Sequence, residues 1–232
     1  MKTINFPVHR RLTKNSRLIK SVLDKVTAAI ALIVLSPVLL SVAIAIYLRM
    51  GRPILFTQQR PGKDTRLFTC YKFRTMTNTR GTNGELLPDA ERLTNLGKFL
   101  RKTSLDELPQ LWSVFIGDMS FVGPRPLLVQ YLPYYSAREC QRHSVLPGIT
   151  GLAQINGRNR LLWEDRLELD VQYVEKQSLA LDIYILFMTV WKVIVRSDID
   201  IDTNLEGNFA KCRQQQLGQS IDLELKPKTI RR

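Results

Sequence analysis

Two adjacent carboxylates, Asp106 and Glu107, lie in the segment Arg101-Lys-Thr-Ser-Leu-Asp-Glu-Leu-Pro-Gln110, close behind Arg101 and Lys102. Adjacent residues of a helix point about 100° apart, so this pair is poorly placed to share one proton. Separate tasks suit it better: one carboxylate as nucleophile, the other as base or metal ligand. Nearby cations and a helix start keep a carboxylate ionised and draw phosphate. Gly123-Pro-Arg-Pro126 holds a single arginine, Arg125, between two prolines. Its guanidinium can grip phosphate oxygens through two parallel hydrogen bonds. If Leu67 to Arg74 is extended, Lys72 and Arg74 share one face, with Tyr71 and Phe73 on the other. A purely structural reading also fits these residues. Asp106 would cap a helix whose first turn tolerates Pro109, or Ser104 and Glu107 would form a capping box, and Arg125 would be an ordinary turn arginine.

Other chemistries are excluded by what the chain lacks. It has no G-x-x-x-x-G-K-[ST] loop and no G-x-G-x-x-G after a strand. Two histidines, His9 and His143, cannot build a multi-histidine metal centre. Asp198, Asp200 and Asp202 imitate the start of a calcium loop, but Thr203 and Phe209 stand where glycine and a bidentate glutamate are needed. Cys70, Cys140 and Cys212 form no C-x-x-C pair and no disulfide framework, which favours a reducing compartment.

The elements that must position the carboxylates begin with a hydrophobic run from Val26 to Leu48, broken by Thr27, Ser36, Pro37 and Ser41. As one straight helix it would measure about 35 Å and cross a ~30 Å hydrocarbon core. Pro37 removes a backbone hydrogen bond at the middle of the run, and the Ser36 hydroxyl can satisfy a freed carbonyl. Basic residues crowd both flanks: Lys2, Arg10, Arg11, Lys14, Arg17, Lys20 and Lys25 against Asp24 before the run, Arg49, Arg52, Arg60, Lys63, Arg66, Lys72 and Arg74 against Asp64 after it. Cytoplasmic flanks carry the Lys/Arg excess, so a span would leave one flank on the wrong side. A re-entrant helix-break-helix, entering and leaving by the cytoplasmic face, keeps both on one side. A cleaved signal peptide fits less well, because the run is long and starts late. Leu18, Ile19, Val22, Leu23 and Val26 recur at helical spacing beside Lys14, Arg17 and Lys20, as in a helix lying on anionic headgroups.

Beyond Arg52 the composition is that of a soluble domain. Ile54 to Gln58 and Leu67 to Phe73 read as strands around the turn Pro61-Gly-Lys-Asp64, and Asp89 to Leu100 as one helix. Trp163 to Gln177 is helical and acidic. Leu179 to Val195 is apolar but carries Asp182 and Lys192, and its uninterrupted part is too short to span. The polar stretch from Asn204 reads as a loosely held tail. The chain of 232 residues carries a net charge of +13 at an apolar content of 44%, which argues against wholesale disorder and points to an anionic partner: nucleic acid, anionic lipid or a phosphorylated substrate. No recognisable nucleic-acid module accompanies the charge. The expected fold class is α+β, mostly helical: a monotopic membrane protein with a basic helix and hairpin over 1–50, a small cytoplasmic α/β catalytic domain over 51–203 and a tail over 204–232.

The sequence resembles the bacterial monotopic phosphoglycosyl transferases. The resemblance rests on Ser36-Pro37, Tyr71-Lys-Phe-Arg-Thr-Met76, Thr103-Ser-Leu-Asp-Glu-Leu-Pro-Gln-Leu-Trp112, Gly117-Asp-Met-Ser-Phe-Val-Gly-Pro-Arg-Pro-Leu128 and Pro147-Gly-Ile-Thr-Gly-Leu-Ala-Gln-Ile-Asn-Gly-Arg158. These keep the family's order over most of residues 15 to 200, in what looks like its small, minimal form. Leu152 departs from the tryptophan many members carry. The resemblance implies transfer of a sugar-1-phosphate from a UDP-sugar to a polyprenol phosphate such as undecaprenyl phosphate, with release of UMP. It implies Asp106 as the nucleophile forming an aspartyl-phosphosugar, Glu107 as a second functional carboxylate, Mg²⁺ held with help from Asp106, and Lys72, Arg101 and Arg125 on phosphate oxygens. The implied location is the bacterial inner membrane with the catalytic domain facing the cytoplasm, where anionic lipid meets the basic flanks. N-acetylated or modified amino sugars lead among the implied donors, ahead of hexoses. The rival readings are a membrane-anchored basic protein that binds anions without catalysis, and an enzyme that moves the sugar alone.

Overall fold

The computed structural model describes residues 13–157, 161–195, 209 and 212–214. It is mostly helical, with two small two-stranded sheets, as expected of an α+β chain. Asp198 to Asp202, His9 and Arg158 lie outside the described residues.

Helix α1 (Lys14–Val34) opens on Thr13, whose hydroxyl accepts a hydrogen bond from the Ser16 N–H at 3.2 Å. Helix α2 (Ser36–Met50) follows after the single residue Leu35, with Pro37 in its first turn, where a missing N–H costs nothing. The two arms bend by 61°. Ser36 Oγ donates to the Ile33 carbonyl at 2.7 Å, the repair its position next to Pro37 predicts. Among the described residues no single helix is long and apolar enough to cross a membrane; the bent pair has the length and composition only together. Ile30, Ile33, Val34, Leu40 and Leu48 are exposed along it.

The arms are nonetheless tied to the rest of the chain. Strands β1 (Leu55–Pro61) and β2 (Leu67–Phe73) pair antiparallel, Leu55 opposite Phe73 and Pro61 opposite Leu67. The second strand has the predicted bounds; the first runs three residues further, because pairing with β2 carries it to the turn. Ala28 of α1 packs with Phe68, Cys70, Val114 and Met119, and Ile46 of α2 with Phe73 and Leu100. Lys20, expected among headgroups, instead turns inward: Nζ lies 2.7 Å from Asp182 Oδ2, and Asp24 accepts from Ser120 Oγ at 2.7 Å. Asp182, buried, and Asp24, half-buried, need a counter-ion, and Lys20 supplies it.

The predicted helix over Asp89 to Leu100 is two: α3 (Asp89–Arg92) and α4 (Asn95–Lys102). Leu93 is extended and bridges Met76, and the Thr94 side chain caps α4 by accepting from Gly97 N–H at 2.9 Å. A cap competes with helix continuation, and here it ends the first segment.

Helix α5 (Gln110–Ile116) leads into β3 (Ser120–Val122), which pairs in parallel with β4 (Gly148–Thr150). The backbones at Gly123 and Gly148 touch: a Cβ on Gly148 would stand 2.1 Å from Gly123 N, so neither position admits a side chain. Helices α6 (Leu152–Ile155), α7 (Trp163–Lys176) and α8 (Leu179–Val195) close the fold around Val122, Ile155, Tyr173, Leu181 and Ile185. The loosely held tail fails at Phe209, which is wholly buried beside Leu127, Tyr131, Tyr135 and Leu167. An aromatic ring there fills the cluster, which one hydrophobe in a polar stretch did not signal.

Candidate active site

Three elements converge on Glu107. Strand β2 brings Lys72, the 3₁₀ turn Leu105–Glu107 brings both carboxylates, and the chain leaving β3 brings Arg125. Ser104 adopts a left-handed conformation (φ 57°) immediately before the turn, so the chain folds back after α4 instead of continuing as helix. Ser104 makes no side-chain capping bond, and α5 starts only after Pro109 with Asp106 in the preceding 3₁₀ turn, so neither the capping box nor Asp106 as N-cap forms.

Lys72 Nζ lies 2.8 Å from Glu107 Oε1, and Arg125 Nη2 lies 2.5 Å from the same oxygen. Arg125 Nη1 reaches Oε2 at 3.4 Å. Asp106, next in the chain, is buried, and its carboxylate accepts no hydrogen bond from a described residue. Arg101 is held by Thr75, donating from Nε to Oγ1 at 3.1 Å, near enough to act on Asp106 electrostatically but not in contact with Glu107. Arg74, expected on the Lys72 face, points elsewhere: it donates to the carbonyls of Met50, Gly51 and Arg52 and closes the C-terminus of α2. A helix end leaves unpaired carbonyls, and the buried guanidinium satisfies those of Met50 and Gly51 together with that of Arg52 just beyond.

The two carboxylates titrate in opposite directions. Burial raises Asp106 to about 6, and the negative Glu107 adds to this against the pull of Lys72, Arg101 and Arg125. The cationic surroundings therefore do not hold Asp106 at an ordinary carboxylate value. Burial would raise Glu107 too, but Arg125 and Lys72 outweigh it and hold the group well below the usual range. Neighbouring groups whose values are pushed apart serve different roles. Glu107 is a permanent anion locking two cations; Asp106 is a carboxylate that is ionised, but weakly stabilised, only above about pH 6.

A small indentation beside this cluster, with room for about 10 Å³, is lined by Arg60, Cys70, Lys72, Gln110, Arg125 and Pro126. Burial pushes the Cys70 thiol up, so it stays protonated and is no competing nucleophile. Burial and Arg142 push His143 down to about 4, which leaves it neutral. Arg60 and Gln110 were missed as site residues: Arg60 counted only as flank charge, and Gln110 only as part of the motif. Arg142 and Asp170, which hold the Arg125 backbone from behind, gave no sequence signal.

No group of three His, Cys, Asp or Glu side chains that could hold a metal occurs among the described residues. Glu107 is committed to Lys72 and Arg125, which leaves Asp106 as the available protein ligand. That matches the habit of Mg²⁺, which binds through one or two carboxylates together with substrate phosphates.

The sequence model of the family described as bacterial sugar transferase matches residues 15–196. The sugar transferase EpsL of Bacillus subtilis (strain 168) is 53% identical over 174 residues, covering 75% of this chain and 86% of its own. The undecaprenyl-phosphate galactose phosphotransferase of Salmonella typhimurium is 40% identical over 202 residues, 80% of this chain and 42% of that one. The UDP-glucose:undecaprenyl-phosphate glucose-1-phosphate transferase of Escherichia coli (strain K12) is 40% identical over 197 residues, 78% of this chain and 41% of that one. The chain thus spans most of the first relative and about two fifths of the other two.

Proposed function

The chain belongs to the bacterial sugar transferase family, and from that premise we propose that it moves a sugar-1-phosphate from a UDP-sugar to a polyprenol phosphate in two steps. The observation that carries this is Asp106: a buried carboxylate that accepts no hydrogen bond from a described residue, raised to about 6, beside a Lys72–Glu107–Arg125 cluster with excess positive charge.

In the first step an Asp106 oxygen attacks the sugar-linked phosphorus of the donor. The Oδ–P bond forms, the P–O bond to the nucleotide breaks, and UMP leaves with the bonding pair. In the second step an oxygen of the polyprenol phosphate attacks the same phosphorus, and the Asp106 carboxylate departs. Asp106 suits both halves. Desolvation makes it more reactive than an exposed aspartate, and above pH 6 it is mostly ionised. Lys72, Arg101 and Arg125 hold phosphate oxygens as charge redistributes, and fixed cations in a low-dielectric site do this without reorganising. Glu107 keeps Lys72 and Arg125 in place. Mg²⁺, with Asp106 as its protein ligand, would supply charge neutralisation at the phosphates.

The bent pair α1–α2 is read as a re-entrant hairpin in the inner membrane. The 61° bend at Leu35, the exposed apolar residues along both arms and the basic residues on both flanks support it. In that reading residues 1–50 form the membrane segment and 51–203 a catalytic unit seated at the cytoplasmic interface, among anionic lipids and within reach of a lipid phosphate and a soluble donor.

The experiment is a panel of UDP-sugars offered to membrane fractions with undecaprenyl phosphate. The relatives named by donor act on glucose or galactose, so UDP-hexoses stand first in it, beside the N-acetylated amino sugars. UMP release upholds sugar-phosphate transfer. UDP release identifies transfer of sugar alone, and no nucleotide release with any donor leaves an anion-binding protein.

A further inference from the structure

Arg125 stands in a stretch without regular structure between β3 and the 3₁₀ segment Val129–Tyr134. The sheet fixes this stretch only at its start: Gly123 N donates to Thr150 O at 2.9 Å and Gly148 N to Pro124 O at 3.0 Å. At Arg125 itself the anchor is different. Its backbone carbonyl accepts a hydrogen bond from Arg142 Nη2 at 2.6 Å. Arg142 is in turn gripped by Asp170 of α7, through Nε at 3.1 Å and Nη2 at 2.7 Å, both to Oδ2. The two side chains are 1% and 2% exposed.

A fully buried ion pair is poor evidence for stability, because its desolvation rivals its attraction, and apolar residues of similar volume often serve the core as well or better. This pair, however, ends on the backbone of an arginine whose guanidinium holds Glu107 in the site. Arg142 and Asp170 sit 17 and 45 residues further along the chain, on elements that carry no site residue.

We infer that Arg142 and Asp170 form a strut from α7 that fixes where Arg125 presents its guanidinium, and are positioning residues for the transfer reaction. The inference rests on the reading of Arg125 as a ligand of the donor phosphates. A displacement of one ångström in a positioned group costs on the order of a hundredfold in rate, so loosening the strut lowers turnover without touching substrate.

Two measurements on the full chain in detergent or nanodiscs test it, and each decides alone. In the first, Arg142→Met, which leaves Asp170 buried and unpaired, is compared with the double variant Arg142→Met/Asp170→Leu, which removes both charges. The strut predicts that the double variant regains much of the thermal stability while kcat/KM stays at least about tenfold below the parent. Recovery of turnover together with stability would show that the pair only fills the core. In the second, the shape-conserving Asp170→Asn is placed in the parent and in Arg125→Ala. Acting through Arg125, it should lower kcat/KM about tenfold in the parent and less than twofold where Arg125 is already gone. Equal losses in both backgrounds overturn the strut and leave the role of Arg125 intact. Unchanged turnover in Arg125→Ala alone overturns that role, and the strut with it.

Discussion

Replacing Asp106 with Asn should abolish turnover and make the protein more stable at neutral pH. The carboxyl rises from 3.8 to about 6 because burial and Glu107 disfavour its charge. A shift of about two units corresponds to about 3 kcal/mol of folding free energy lost when the group is ionised. Asn removes the charge but brings an amide whose N–H groups need partners, at roughly 1–3 kcal/mol if unpaired. The expected net gain is about 0–2 kcal/mol, or up to about 8 °C in melting temperature for a chain of this size. The pH dependence carries the argument further. A folded pKa above the unfolded one means the native state binds the proton more tightly between about 4 and 6. The parent therefore gains stability as pH falls through that window, and the Asn variant does not. Thermal unfolding of both proteins at pH 7, 6, 5 and 4 should show the Asn variant's advantage largest at pH 7 and lost or reversed by pH 4. A variant less stable at pH 7, or a gap constant over the series, would refute the claim that the site holds this carboxylate at an energetic cost. Such a cost is the usual stability–function conflict of an active site.

Three further outcomes follow from the same geometry. The acid limb of kcat/KM should fall near pH 6, tenfold per unit below it, because a protonated Asp106 is no nucleophile; a limb near pH 4 would contradict the buried site. Lys20→Met should cost about 3–5 kcal/mol in thermal or denaturant unfolding, since it leaves Asp182 buried without its cation; a change within 0.5 kcal/mol would place Lys20 at the surface. Cysteines introduced at Asn15 and Arg52 should both be labelled from the cytoplasmic side by an impermeant reagent, and labelling of either from the periplasm would contradict the re-entrant hairpin.

The parts of the site legible in the sequence were those with local signals. Pro37 beside Ser36 marked the bend, because both act on backbone within one turn. Alternation and turn residues gave β2 its bounds. Asp106, Glu107, Lys72 and Arg125 were singled out by charge and spacing, and the structure brings Lys72, Glu107 and Arg125 into contact. What stayed hidden depends on contacts between distant segments. Arg74 looked equivalent to Lys72 by alternation, but β2 ends at Phe73 and the next side chain turns to the end of α2. Lys20 looked like a headgroup ligand because its three-dimensional partner, Asp182, is 162 residues away in an apolar helix. The Arg142–Asp170 strut and Phe209 follow no period at all. The opposite titration of Asp106 and Glu107 was also invisible, since adjacent carboxylates differ only in what surrounds each.

The covalent step tests the account most directly. Purified enzyme would be given a UDP-sugar labelled in its sugar-linked phosphate, with polyprenol phosphate withheld, and quenched within the first turnover. A covalent Asp106 intermediate gives a burst of up to one UMP per enzyme, label retained on the protein, and a phosphosugar mass on the peptide carrying Asp106, lost when the lipid acceptor is added and absent from Asp106→Asn. An unlabelled protein that forms product only when both substrates are present, with the label passing straight to the lipid, would contradict it.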